Sequence, residues 1–238
     1  MKRDVAWARG GLACAVREVI LSWLLRPLIA VYARRTVTGH EHLAAVTGPV
    51  VFVANHSSHM DTPLILRALP WSWRRRTAVA AAADYFYTRA LLAHAVSLAF
   101  NTVPVTRKGE TPEPGETALD HVLSQGWSLL VFAEGTRSRD GSVGRLRSGA
   151  ALLATAHDLP IVPVYVAGTH ATMPVGQGWP RRGRRRHPVR VAFGPAFRPA
   201  ADEHRTEVME HVRLFLESQG ASTTPDKRAA AARTSSTA

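Results

Sequence analysis

The chain has 238 residues, with 30 lysines and arginines against 18 aspartates and glutamates, a formal charge of +12. This length predicts one domain with an appendage rather than two full domains, and 46% hydrophobic residues exclude a wholly disordered chain. The single cysteine, Cys14, excludes an intrachain disulfide and a cysteine-rich zinc module, while the basic excess points to anionic company: phosphorylated metabolites, anionic lipid or nucleic acid.

Taken in chain order, Trp7, Leu12, Val16, Val19, Ile20, Trp23, Leu24 and Leu28 recur at roughly helical spacing and predict a helix over Val5–Tyr32. Lys2, Arg3, Arg9, Arg17, Arg26, Arg34 and Arg35 surround that stripe. Tryptophan, leucine and arginine on one helix is the composition of an interfacial segment; the alternative is a helix packed on the core with its arginines in solvent. A membrane-spanning helix needs about 20 mostly apolar residues. The run Val19–Ala33 holds Arg26 and Pro27, and Ala78–Val105 holds Asp84, Arg89 and His94, so no span is expected. Nor is a secretory signal, because Arg17 and Glu18 precede the apolar run and no clean small-residue cleavage site follows.

Thr36–Gly39 reads as a short strand or turn, and Val50–Ala54 as a strand buried on both faces. Asn55–Thr62 is a polar loop, after which Pro63 suits the first turn of a helix running to Pro70. A helix is expected over Tyr85–Leu98, a strand over Thr102–Thr106, a loop over Gly109–Gly115 and a helix over Thr117–Gln125. Buried strands follow at Trp127–Phe132 and Pro160–Val166, with a Gly/Arg/Ser loop (Glu134–Ser148) and an Ala/Leu helix (Gly149–His157) between them. A basic loop (Gly176–Pro188), a strand (Val189–Gly194) and a helix (Glu203–Glu217) complete the pattern. Strands alternating with helices predict an α/β fold with a largely parallel buried sheet flanked by helices. The division expected is an N-terminal membrane-surface helical segment over 1–35, one domain over 36–217 and a disordered tail over 218–238.

Two loops carry candidate chemistry. In Asn55-His56-Ser57-Ser58-His59-Met60-Asp61, His56 and Asp61 are five residues apart. On one helix they would fall about 140° out of phase. They meet only if His56 lies in the loop and Asp61 at the start of the next helix, where capping and the helix dipole favour an acid. A carboxylate beside a histidine fixes its tautomer and suits it to take a proton from a hydroxyl. The competing readings are a plain cap with a polar loop residue, or a metal set of His56, His59 and Asp61 that lacks obvious further ligands. His59 is expected to be a surface or loop-packing residue. The second loop reads Phe132-Ala133-Glu134-Gly135-Thr136-Arg137-Ser138. A glycine turn at a strand end presents N–H groups and arginine to phosphate, and Glu134 is expected to hold Arg137 or bind a hydroxyl. Arg145 and Arg147 precede the helix that follows. Because the loops after parallel strands share one sheet edge, these residues and Arg107 are expected to converge.

Together these segments resemble the glycerolipid acyltransferase family, typified by 1-acyl-sn-glycerol-3-phosphate acyltransferases. Asn55 to Asp61 is similar to its His-x4-Asp block, and Phe132 to Ser138 to its Phe-Pro-Glu-Gly-Thr-Arg-Ser block. Val103-Pro104-Val105-Thr106-Arg107 and Ile161-Val162-Pro163-Val164 resemble two further blocks, and the resemblance covers roughly Val50 to Val166. Ala133, Thr106 and Arg147 depart from the pattern, which often has proline, an acidic or amide residue, and lysine there. The resemblance implies a glycerol-3-phosphate acyltransferase-like fold. It implies His56 as base with Asp61 as its partner, and Arg107, Glu134, Gly135, Thr136, Arg137 and Arg147 as the acceptor site. It implies transfer of a fatty acyl group from acyl-CoA or acyl-carrier protein to a lysophospholipid, most simply 1-acyl-sn-glycerol 3-phosphate, giving phosphatidate in phospholipid biosynthesis. Another lysophospholipid, or a lipid acceptor without phosphate, is the alternative. Neither cofactor nor metal is expected. With the basic clusters Trp71–Arg76 and Arg181–Arg186, the expectation is a peripheral protein on the cytoplasmic face of an anionic membrane. A nucleic-acid-binding module is the remote alternative, since no known nucleic-acid motif is present.

Overall fold

The computed structural model describes residues 6–82, 90–105 and 117–223. The N-terminal segment is a short 3-10 turn (Ala6–Arg9), a break at the extended Gly10, and then one continuous helical run: α1 (Gly11–Val19), a π-helical stretch (Ile20–Leu25) and α2 (Arg26–Tyr32). Then follow β1 (Ala33–Thr38), α3 (His40–Ala44), β2 (Val51–Ala54), α4 (Asp61–Ala68), α5 (Trp71–Arg74) and β3 (Thr77–Ala82). The chain continues through α6 (Ala90–Phe100), β4 (Thr102–Val105), α7 (Ala118–Ser124), β5 (Ser128–Phe132), α8 (Gly149–Ala156) and β6 (Ile161–Ala167). It ends with α9 (Thr169–Thr172), β7 (His187–Phe193) and α10 (Arg205–Ser218).

The strands form a seven-stranded sheet in the order β1-β7-β6-β2-β5-β3-β4. Every pair is parallel except β6 with β7, where Val164 faces Phe193. The α/β architecture expected from the sequence is therefore present. Strand β2 sits between β5 and β6, and all four of its residues are buried. Its side chains alternate between two cores, as the pleat requires. Phe52 and Ala54 join Leu64, Ile65 and Phe193 on the α4 face, whereas Val51 and Val53 join Ala150, Ala154, Val212 and Leu216 on the α8 and α10 face. Burial on both sides is why β2 is apolar without interruption.

Strand β3 was not expected. Its sequence, Thr77-Ala-Val-Ala-Ala-Ala82, carries helix-favouring alanines, yet it lies between β5 and β4. Tertiary burial overrides local propensity there. Strand β1 begins at Ala33, inside the segment assigned to the appendage, and pairs with β7 over its whole length. Of the tail expected to be disordered, residues 219–223 pack back on the domain: Val143 N–H donates to Ser222 O at 2.7 Å. Residues 224–238 lie outside the described ones.

The N-terminal helix is oriented by one buried cation. Ala8, Ala13, Arg17 and Leu21 form its inward stripe. Arg17 is 3% exposed and donates to the carbonyls of Leu98 (3.0 Å) and Ser97 (3.4 Å) near the end of α6. A guanidinium on the terminal carbonyls of a helix also meets the negative end of its dipole. Leu12, Val19, Trp23 and Leu24 point away and are 81%, 57%, 80% and 61% exposed. The core-packed alternative with solvated arginines thus fails at Arg17. No helix among the described residues is long and apolar enough to cross a membrane.

Between α7 and α8 a polar clamp joins two helices. The Thr117 hydroxyl accepts the Asp120 N–H while Asp120 Oδ2 accepts the Thr117 N–H, a capping box, and Asp120 Oδ1 lies 2.7 Å from His157 Nε2. Burial raises the Asp120 carboxyl, but the Thr117 and His157 hydrogen bonds outweigh it and hold the group below its ordinary 3.8. A depressed carboxylate stabilises the fold above its unfolded value, and that contribution is lost as pH falls through the folded one. Asp120→Asn should therefore cost about 1–3 kcal/mol at pH 7. Thermal unfolding of both proteins should show the gap closing below about pH 3.8.

Candidate active site

His56 emerges from the C-terminal end of β2, the strand most deeply placed in the sheet. Asn55 continues the ladder with its side chain: its Nδ2 donates to Val166 O at 2.9 Å, and its Oδ1 accepts the Val166 N–H at 2.8 Å. That pair of hydrogen bonds fixes the point at which the chain leaves the sheet. His56 then turns outward with its ring stacked on Phe132, centroids 3.9 Å apart.

Asp61 opens α4 and is fully buried. Its Oδ2 lies 2.8 Å from His56 Nδ1 and accepts the N–H groups of Ser57 (2.7 Å) and Ser58 (2.9 Å). An ionised carboxylate only accepts, so His56 donates through Nδ1–H. The neutral ring consequently carries its lone pair on Nε2. The loop is braced from behind: Ser57 Oγ bonds Thr169 Oγ1 at 3.0 Å, and Ser58 Oγ donates to Met173 O at 2.7 Å. The histidine lies in the loop and the acid at the helix start, the one arrangement that their spacing permits.

Glu134 also has a structural task that the sequence did not announce. Its Oε1 accepts the His56 N–H at 2.9 Å, and its Oε2 accepts the Gly144 N–H at 2.8 Å. Both oxygens thus tie backbone to backbone, joining the β2 and β5 loops. Burial raises the Glu134 carboxyl against the opposing pull of those two N–H groups. Ser138 N–H adds a second stitch to His56 O at 2.8 Å. Gly135 has φ +69°, and Arg147 lies across it: a Cβ at Gly135 would stand 2.8 Å from Arg147 Nε. Arg147 is held by its own N–H to Ala133 O at 2.8 Å and its Nε–H to Glu134 O at 3.3 Å.

These groups border a cavity of about 1390 Å³, whose polar lining includes His56, Glu134, Thr136, Arg145 and Arg147. Its apolar lining includes Ile29, Val79, Phe100, Leu119, Val131 and Leu153. It is larger than the roughly 300–1,000 Å³ of ordinary small-molecule pockets. A large cavity lined by both polar and apolar side chains suits an amphiphile. Tyr32 and Trp179 close one side, Trp179 Nε1–H donating to the Tyr32 hydroxyl at 2.7 Å.

The expected residues do not all converge. His56, Glu134, Gly135, Thr136 and Arg147 share the cavity, with Asp61 buried behind His56. Arg137 faces an adjoining hollow of about 330 Å³ that also meets Glu134 and Thr136. Arg107 lies outside the described residues. His59 was expected to be a surface or packing residue, but it lines the cavity. Burial first, then Arg137 and His56, push its ring down to about 4, so it is neutral near pH 7. Nothing in its spacing announces this role, which follows from the turn of the loop. Phe132, Asn55 and Thr169 were likewise missed as supports, since each acts through a contact distant in sequence or across two loops.

The sequence profile of the Acyltransferase family matches residues 20–167, and this chain belongs to that family. It is 28% identical over 190 residues to a chloroplastic 1-acyl-sn-glycerol-3-phosphate acyltransferase of Brassica napus, covering 77% of this chain and 52% of that one. Over 79 residues it is 35% identical to a 1-acyl-sn-glycerol-3-phosphate acyltransferase of Pseudomonas aeruginosa, covering 32% of this chain and 28% of that one. The chain spans about half the length, or less, of the first of these curated relatives. Its fold is that of the crystal structure of the 1-acyl-sn-glycerophosphate (LPA) acyltransferase PlsC from Thermotoga maritima, with a TM-score of 0.58 and 23% identity, covering 92% of this chain and 84% of that one.

The left-handed turn at Gly135 is directly testable. A side chain there costs about 1–2 kcal/mol in backbone conformation alone, and Arg147 must also move. Gly135→Ala should lower Tm by about 2–8 °C in a thermal scan. An unchanged Tm would contradict the turn geometry.

Proposed function

We propose that this chain transfers a fatty acyl group from an acyl thioester to the free hydroxyl of a lysophospholipid, most simply 1-acyl-sn-glycerol 3-phosphate, giving phosphatidate. The observation that carries the reading is the His56 Nδ1–Asp61 Oδ2 contact of 2.8 Å beside a cavity with an apolar wall. Membership of the family and the activity for which its relatives are named support it.

The acceptor hydroxyl attacks the thioester carbonyl carbon while His56 Nε2 takes its proton. Asp61 holds the ring in the Nδ1–H tautomer and stabilises the imidazolium as it forms. The tetrahedral intermediate collapses by breaking the C–S bond, and His56 returns the proton to the departing thiolate. An acyl-enzyme is not required. Neutral His59 beside the base adds no competing positive charge. Arg147 and the Gly135–Thr136 backbone border the space for the acceptor's polar head, and Arg137 and Arg107 are assigned to its phosphate. Glu134 acts chiefly by placing His56 and Gly144. Acyl-CoA and acyl-carrier protein are the donors that fit the chemistry. The outward stripe of Leu12, Val19, Trp23 and Leu24 supports a peripheral seat on a membrane, where donor and acceptor chains are found.

Thiol release from acyl-CoA or acyl-carrier protein with a panel of lysolipids tests this. His56→Ala should abolish release with the fold intact, and retained turnover would remove the base assignment. Asp61→Asn should lower kcat by on the order of 10³–10⁴-fold. Arg137→Ala should raise KM for lysophosphatidate and leave kcat little changed. An unchanged KM would count against phosphate binding at Arg137.

A further inference from the structure

A second basic site lies outside the reaction cavity. Glu18, Ser22 and Arg26 recur every fourth residue along the N-terminal helix, so they share one side of it. That side meets α4 and α5. Arg67 Nη1 donates to Ser22 Oγ at 3.0 Å. Arg74 is 8% exposed and grips both oxygens of Glu18, at 2.8–3.2 Å, while its Nη1 donates to Leu69 O at 3.1 Å. Arg35, on the edge strand β1, is the fourth cation.

The charges do not balance. Among the described residues, four guanidiniums meet one carboxylate, Glu18, which Arg74 already occupies. Burial, then Arg74, Arg35 and Arg26 in turn, hold Arg67 below the ordinary guanidinium value, whereas Glu18 opposes them. Partial desolvation, then Arg26 and Arg74, do the same to Arg35. Arg67 Nε–H is buried and has no acceptor. A cluster with more donors than acceptors, and with mutual repulsion, is stabilised by an anion that the protein itself does not supply. Arg26 and Arg35 are exposed, so the cluster opens to solvent. None of the four arginines lines the cavity of His56.

We propose that Arg26, Arg35, Arg67 and Arg74 form a phosphate-binding site beside the outward face of the N-terminal helix. Its ligand is a phosphate mono- or diester. Arginine matches phosphate oxygens through paired N–H donors, and planar forks from several directions suit one tetrahedral anion. Its position favours a lipid head group: Arg26 follows Trp23 and Leu24, which are 80% and 61% exposed, so apolar anchor and phosphate grip are adjacent. A basic side chain near an anionic leaflet contributes about 1 kcal/mol.

The test uses the full chain and reads binding rather than turnover, so its outcome is independent of the proposed reaction. Arg26→Gln/Arg35→Gln removes two exposed arginines, and Arg182→Gln/Arg185→Gln removes two from the exposed basic loop. Binding is measured to phosphatidylcholine vesicles with and without phosphatidylglycerol, and inorganic phosphate is added separately in thermal scans. The expected result is at least a tenfold weaker affinity of the first variant for phosphatidylglycerol vesicles, with the second much less affected. Such a loss without a phosphate effect on Tm assigns the site to a lipid head group. A phosphate-dependent rise in Tm of the parent, absent in Arg26→Gln/Arg35→Gln, with vesicle binding unchanged, assigns it to soluble phosphate. Equal vesicle losses in the two variants, with no phosphate effect unique to the parent, would overturn the site.

Discussion

One carboxylate oxygen organises the site. Asp61 Oδ2 draws in the His56 ring and the N–H groups of Ser57 and Ser58, so a five-residue loop closes on the first residue of α4. The closure settles three things together: which His56 nitrogen bears the proton, which way the ring faces, and where the helix begins. Because Asp61 is wholly buried, leaving its charge unmatched would be costly, and the three donors keep the loop from opening. The remaining contacts brace that unit. Asn55 clamps its exit from the sheet, Ser57 and Ser58 fasten it to α9 and Met173, and Glu134 sews it to the loop after β5. A ring supported from so many directions is held in one orientation.

The same logic relates the N-terminal helix to the cavity. Arg17 fixes the helix face by satisfying carbonyls on α6, which leaves the bulky apolar residues outside. Farther along the helical run, Leu25, Leu28, Ile29 and Tyr32 turn inward and line the cavity. One helical run therefore carries an outward apolar stripe and then part of the wall of an amphiphile-sized space. The π-helical stretch Ile20–Leu25 holds the end of the outward stripe, Trp23 and Leu24, and the first cavity residue, Leu25, and its wider turn shifts the side-chain register there.

Much of this was legible in the sequence. Continuous apolar runs gave away β2, β5 and β6, because strands buried on two faces have no polar side to show. The spacing of His56 and Asp61 allowed them to meet only from loop to helix start, with a plain cap and a metal set as the competing readings, and that meeting is the one present. What escaped had physical reasons. The alanines of β3 name no conformation by themselves, and only the neighbouring strands make them a sheet. Glu134 was expected to hold Arg137 or bind a hydroxyl; that it also accepts backbone N–H groups was hidden, because every residue has them and no motif displays them. His59 looked like a surface or packing residue because desolvation is a property of the folded loop. Arg17 looked like one more solvated cation on a basic helix, though its carbonyl partners lie on a helix some eighty residues away.

The account rests on His56 Nε2 facing an acceptor hydroxyl. The most direct measurement is a crystal structure of the protein bound to lysophosphatidate and an unreactive thioether analogue of the donor. The predicted result is the acceptor hydroxyl oxygen within about 2.6–3.2 Å of His56 Nε2, with Asp61 still on Nδ1. A hydroxyl lodged away from His56, or a His56 ring turned so that Nδ1 faces the cavity, would contradict it.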